Sequence, residues 1–291
     1  MKKLLFTSVI GLVRTDLSDT ISTAPNDVES SPMPSELLTE RIGAVLVMTL
    51  RDPATRNTLS HEVIAAGVEA LNAAEADPAL RAVLLRGDGG HFCAGGNLQG
   101  LLERRRAGPS AQLKMLEHLH QWVEALRACP KPVIAAVDGA AAGAGFSLAL
   151  ACDLIVAAED ARFILSYGRI GLSPDGGATW SLMQALPRAR VQQLLWLGEP
   201  VSTQHLFDWG LVSAVTASGQ SFGAALQLAE RLATMAPNAL ASAKTLLQQA
   251  GGHSLTQQLA AERDHFVANL FHDNGAEGLN AFLDKRAPHF R

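Results

Sequence analysis

Five short runs, AVLVMTL (44–50), RAVLLRG (81–87), VIAAV (133–137), DLIVAAE (153–159) and ARFIL (161–165), are apolar at successive rather than alternate positions. A strand sends neighbouring side chains to opposite faces, so such runs are stable only in a sheet covered on both sides. Helical stretches alternate with them. Residues 60–76 read as a helix with Ser60 at its N-cap, and residues 101–128 read as one long amphipathic segment. Beyond residue 165 the chain reads as mainly helical. The pattern demands an α/β fold with helices layered on a buried sheet.

The chain has the material for such a core: 291 residues, 48% hydrophobic and only 18% charged. Residues 36–235 form the expected core domain and residues 236–291 a helical C-terminal region, whose segments PNALASAKTLLQQ and SLTQQLAAERDHFVANLF carry apolar positions suited to packing between subunits. Residues 1–35 read as a disordered or spurious tail. MKKLLFTSVIGLV resembles a weak signal peptide, but its apolar run is interrupted and short, and a stretch rich in Ser, Pro and acid follows. A start at Met33 is the other reading. The formal charge of −4 and the lack of a basic stripe with interleaved aromatics argue against nucleic acid, and no apolar run is long enough to cross a membrane. Arg104, Arg105 and Arg106 read as a solvated helix face. Cys93, Cys129 and Cys152 are too few and too far apart for a disulfide framework, which points to a reducing, cytoplasmic setting. The histidines form no metal-ligand pattern, so no metal site is expected.

Two glycine-rich loops, DGGHFCAGGNL and GAAAGAGFSLALACD, each follow a buried strand. Glycine and alanine leave backbone N–H groups accessible, and two such loops can offer one donor each to an anionic oxygen. The candidates are Gly96 and Ala144. A tightly packed helix start explains the second loop equally well on spacing alone. GAGFSL does not complete a dinucleotide fingerprint. GFSLA nearly matches a nucleophile elbow at Ser147, but the preceding strand reads as ending near Val137, too early for the sharp turn that motif needs.

HFCAGGNL, CPKPVIAAVDGAAAGAGFSLALACDLIVAAEDARF, RIGLSPDGGATWSL, FDWGLV and FLDKRAPHF together resemble the crotonase, or enoyl-CoA hydratase/isomerase, superfamily, from about residue 40 to the end. The resemblance implies a spiral of ββα units with a C-terminal helical trimerisation region, assembled as a homotrimer or a dimer of trimers. It implies an acyl-CoA substrate, with coenzyme A as part of the thioester and no tightly bound cofactor. Its shared chemistry holds a thioester enolate on two backbone amides, which fall on Gly96 and Ala144. Two preorganised donors lower such a barrier by several kcal/mol.

The hydratases of that family use two glutamates, and the matching positions here hold Ser147 and Tyr167. Syn hydration needs both an activated water and a delivered proton, so their loss counts against a simple hydratase. The remaining carboxylate is Asp175 in SPDGGATW, which matches the base of several enoyl-CoA isomerases. In other members the same position is a nucleophile. Without the family, Asp175 reads first as a turn or helix-cap residue. As a base it should lie in an apolar pocket with Phe146, Ser147, Tyr167, Leu172 and Trp180. Arg56, Asn57, Ala94, Asn97 and Leu98 should border the CoA moiety, with Phe282 and Lys285 approaching from the C-terminal helix of the same or a neighbouring subunit. Asp153 reads as structural, and Glu103, Glu117 and Glu124 stand in a helical region able to cap the pocket. The favoured activity is double-bond isomerisation of an enoyl-CoA; the alternatives are an enoyl-CoA hydratase and a catalytically weak acyl-CoA-binding homologue.

Overall fold

The computed structural model describes residues 35–291, so the expected tail lies, up to residue 34, outside the described residues. The chain opens with β1 (Glu36–Ile42), β2 (Val45–Arg51) and α1 (His61–Ala76), where Ser60 caps the helix by accepting from Val63 N. It continues through β3 (Ala82–Gly87), α2 (Leu98–Ala107), α3 (Pro109–Ala128), β4 (Val133–Val137), β5 (Ala140–Ala142), α4 (Ala144–Ala151), β6 (Leu154–Ala158) and β7 (Arg162–Ile164). A 3-10 turn at Tyr167–Ile170 leads to α5 (Ala178–Ala185), α6 (Arg188–Leu197), β8 (Val201–Ser202), α7 (Thr203–Asp208) and β9 (Ala214–Thr216). The helices α8 (Ser221–Ala233), α9 (Pro237–Ala250), α10 (Leu255–Leu270) and α11 (Asp273–Leu283) complete it.

The large sheet has the order β1-β2-β3-β4-β6-β9, parallel except at the β1-β2 hairpin, and a small sheet has the order β5-β7-β8. Consecutive strand pairs divide between the two. β4 joins the large sheet and β5 the small one; β6 and β7 repeat the division, and a bridge from Cys93 to Ala141 repeats it after β3. This is a spiral of ββα units. The apolar runs are buried on both faces as their composition demands. Leu46, Met48, Val83, Leu85 and Ala135 point into the main core, while Val45, Val47, Leu84, Ile134 and Val156 meet Ala225 and Ala229 of α8 on the far side.

Three local features differ from the sequence reading. The segment at 101–128 is two helices, because Gly108 adopts φ +105 and Pro109 starts a new one. The alanines of β5 form a strand that three small side chains did not announce, so strand, turn and α4 are contiguous through Gly143. The elbow argument from an early strand end is therefore corrected, although Ser147 still lies inside α4 and not at the turn. β1 went unread because it is a hairpin edge with mostly exposed side chains.

At the C-terminal end, α9 and α10 bury no residue, and Leu255, Phe271, Phe282 and Leu283 are each more than three-quarters exposed or close to it. Polar contacts tie these helices to the core: Lys244 Nζ lies 2.8 Å from Asp153 Oδ2, and Gln248 donates to Arg127 O. Among the described residues no helix is long and apolar enough to cross a membrane.

Candidate active site

The two glycine loops meet because their backbones pair. Cys93 N donates to Ala140 O at 3.0 Å and Ala142 N to Cys93 O at 2.8 Å, laying the first loop along β5. The contact is too close for side chains. A Cβ on Gly95, at φ +87, would stand 2.6 Å from Ala142 O and 3.1 Å from Ala144 N; one on Gly145 would stand 2.3 Å from Cys93 O. Gly96, in contrast, has only the tip of Leu101 within 4.0 Å of its missing Cβ. Its alpha carbon borders open space.

That space is a cavity of about 410 Å3 whose lining includes both Gly96 and Ala144. Neither amide donates to a protein acceptor among the described residues. Ala144 is the first residue of α4, where helix geometry leaves the N–H unpaired and adds a positive dipole end. An uncapped helix start and a bare loop amide thus face one cavity, an arrangement suited to a carbonyl oxygen that gains charge.

Asp175 lines the same cavity and is the only carboxylate among its lining residues. Tyr167 Oη donates to Asp175 Oδ1 at 2.6 Å, and Ser147 Oγ donates to Asp175 O at 3.0 Å. Burial pushes the Asp175 carboxyl above its ordinary range; the Tyr167 hydrogen bond and the charge of His120 act the other way. Burial and the neighbouring Asp175 push the Tyr167 phenol upward, so it stays a neutral donor. Tyr167 Oη also lies 3.5 Å from where a Cβ of Gly143 would stand, which places the carboxylate beside the start of α4.

The structure separates the other candidates. Ala94, Leu98, Tyr167 and Leu172 line the cavity. Ser147 is buried and braces the Asp175 loop from behind. Phe146 is a correction: it is buried in the core against Phe163, with ring centroids 5.0 Å apart, because its helix turns it away from the opening. Trp180 is another, since it packs over the Arg127 guanidinium and lines a different cavity. Asn57 is spent inside the protein. Its Nδ2 donates to Asp88 O and His91 O, and its Oδ1 accepts from Asp52 N, which pins the first glycine loop. Arg56 projects outward while its carbonyl accepts from Ala94 N at 2.9 Å. Asn97 caps α2 through Gly100 N at 3.1 Å. Phe282 and Lys285 do not line the cavity of their own chain.

Glu103, Glu117 and Glu124 are exposed and line no part of the cavity. Asp153 accepts from Val133 N and Lys244 at a helix-to-strand junction. Cys93 is fully buried, and burial pushes its thiol up to about 12, which removes it as a nucleophile. Residues missed from the sequence include Met115, Leu116 and Leu119, which form the apolar wall, and Arg104, which lines the cavity and is not part of a solvated face. Their helical spacing on α3 marked a buried face without showing that the face borders a void. Among the described residues no cluster of His, Cys, Asp or Glu is built to hold a metal.

Residues 40–291 match the family described as enoyl-CoA hydratase/isomerase. Over 250 residues the chain is 38% identical to 1,2-epoxyphenylacetyl-CoA isomerase of Escherichia coli strain K12, spanning 84% of this chain and 94% of that protein. Over 257 residues it is 36% identical to 2,3-dehydroadipyl-CoA hydratase of the same strain, spanning 88% and 99%. A crystal structure of an enoyl-CoA hydratase from Polaromonas sp. JS666 is similar with a TM-score of 0.87 and 54% identity, covering 88% of this chain and 100% of that one.

Proposed function

The chain belongs to the enoyl-CoA hydratase/isomerase family, and from that premise we propose that it is an enoyl-CoA isomerase with Asp175 as the proton carrier. One observation supports this above others: the cavity that offers both unpaired amides contains a single carboxylate. The thioester carbonyl sits against Gly96 N and Ala144 N. Asp175 removes a proton from C2 of a 3-enoyl-CoA, the electrons of that C–H bond pass to the carbonyl oxygen, and the two amides hold the resulting dienolate. The protonated carboxyl then gives the same proton to C4. The C2–C3 double bond forms, the C3–C4 double bond is lost, and Asp175 is again ionised.

Tyr167 occupies Oδ1 and leaves Oδ2 to shuttle between the two carbons. Raised basicity from burial suits a base that must return what it takes. Coenzyme A enters with the substrate, and no tightly bound cofactor is required. Ala94 and Leu98 border the thioester end. The exposed apolar faces of α10 and α11 fit assembly as a homotrimer or dimer of trimers, in which Phe282 and Lys285 reach a neighbour's CoA; a cytoplasmic location fits the free, buried cysteines.

The test is to incubate wild type and Asp175→Asn with a 3-enoyl-CoA and with crotonyl-CoA. Isomerisation by the wild type that is lost in the variant supports the proposal. Hydration of crotonyl-CoA that survives in the variant assigns a hydratase instead. Silence with both substrates, alongside measurable CoA-ester binding, assigns a binding homologue.

A further inference from the structure

The cavity holds one other charged side chain, Arg104. It reaches the lining from α2, where Nε donates to Gln112 Oε1 on α3 at 2.7 Å across the Gly108 break. The rest of the guanidinium folds back over Gly100, one turn earlier: a Cβ there would stand 3.0 Å from one terminal nitrogen. Gln112 thus holds the group by one hydrogen bond, and the missing side chain of Gly100 leaves it room on the other side. No carboxylate lies within ion-pair distance of it among the described residues. The cavity it lines is otherwise largely apolar on this side, with Leu98 and Leu101 of α2 and Met115 and Leu116 of α3 also in the lining.

An oriented cation in an apolar wall, with its terminal N–H groups unspent, is the arrangement that receives a planar anion through paired hydrogen bonds. Its place along the cavity says which part of a substrate it meets. Leu119 of α3 lies against the Asp175 turn, 3.6 Å from a Cβ position on Gly176. Gln112 is seven residues earlier on that helix, about 10 Å along its axis. Acid and guanidinium therefore stand at different levels of one cavity, with Met115, Leu116 and Leu119 between them.

We infer that Arg104 reads the far end of the acyl group, and that the chain takes CoA thioesters whose acyl chain terminates in a carboxylate. The inference rests on the cavity being the acyl-CoA site and not on which carbon is deprotonated. A second source of anionic oxygen is the phosphates of coenzyme A, which every CoA ester shares.

Calorimetric binding of adipyl-CoA and hexanoyl-CoA to the full chain separates these sources. Both acyl chains are saturated, so the result is independent of isomerase or hydratase activity. Wild type is expected to bind adipyl-CoA about tenfold more tightly, a ratio that one charge-assisted pair supplies. In Arg104→Met the preference should vanish through loss of adipyl-CoA affinity, with hexanoyl-CoA affinity unchanged. Gly100→Ala keeps the charge, favours the helix and asks the flexible guanidinium to give way only slightly, so the preference should survive it with no lowering of the melting temperature. The inference is overturned by equal affinities in wild type, by a preference that persists in Arg104→Met, or by equal weakening of both esters, which would place the phosphates at Arg104. Absence of binding by either ester would overturn the acyl-CoA site together with the inference.

Discussion

Replacing Asp175 by asparagine separates what the carboxylate costs from what it does. Burial is the largest influence on Asp175 and raises its pKa in the folded chain. A carboxyl whose folded pKa lies above its unfolded one favours folding when protonated. That contribution is full below the unfolded pKa and is lost as pH rises through the folded pKa. At neutral pH the ionised carboxylate therefore weakens the fold, by about 1.4 kcal/mol for each unit of elevation, or about 2–4 °C in melting temperature. Asparagine keeps an oxygen to accept from Tyr167 Oη, now at 2.6 Å, and carries no charge to desolvate. The variant should melt above wild type near pH 8, and the gap should close as pH falls toward about 4. Over the same range kcat should drop about 10²–10⁴-fold, the usual worth of a general base. Scanning fluorimetry across pH, beside isomerase assays, reads both effects. A variant that melts below wild type at pH 8, or a gap indifferent to pH, would show a turn-forming aspartate instead of a strained base.

Three further perturbations address the rest of the site. Ala144→Pro removes one amide donor at the helix position that best tolerates proline; kcat should fall by about 10²–10³ with retained helicity by circular dichroism, and near-normal turnover would refute the amide's role. Tyr167→Phe deletes the hydrogen bond that holds the Asp175 pKa down, so the acidic limb of the kcat/KM profile should move to higher pH; a shift to lower pH contradicts the assignment. Asn57→Ala strands the carbonyls of Asp88 and His91 and should cost about 3 kcal/mol in urea unfolding, whereas a loss below about 0.5 kcal/mol would mean that solvent replaces the side chain.

What could be read from the sequence was what repeats along the chain. Successive apolar residues at 44–50, 81–87 and 133–137 required a sheet covered on both sides, and Ser60 marked its helix because an N-cap is a local event. β5 escaped because alanine has little strand preference, and because it is held by the non-adjacent strand β7 and by a single bridge to Cys93, both remote in the chain. At the site, the small residues of the two loops marked where backbone amides stay unpaired. Side chains were less so: Trp180, on α5 just beyond the Asp175 turn, faces Arg127, and helical phase at so short a remove from a turn is not set by spacing. Asn57 showed the opposite failure. A polar residue near a presumed ligand was read as a ligand contact, yet its buried amide is consumed by the loop that shapes the site.

The two positions that the family resemblance matches to glutamates hold Ser147 and Tyr167, and both hydroxyls are engaged. Ser147 donates to the Asp175 carbonyl and Tyr167 to the Asp175 carboxylate. Both hydroxyls are thus committed to the Asp175 residue, and the Tyr167 hydrogen bond offsets part of the desolvation that raises the carboxyl's pKa. A glutamate at residue 147 would start from a Cβ packed against the Asp175 turn, 2.8 Å from a Cβ position on Gly176, and two carboxylates in one buried site raise each other's pKa. A water-activating pair and the Asp175 arrangement therefore compete for the same space. On the proposed reading, Asp175 moves one proton between two carbons and no water is added across them.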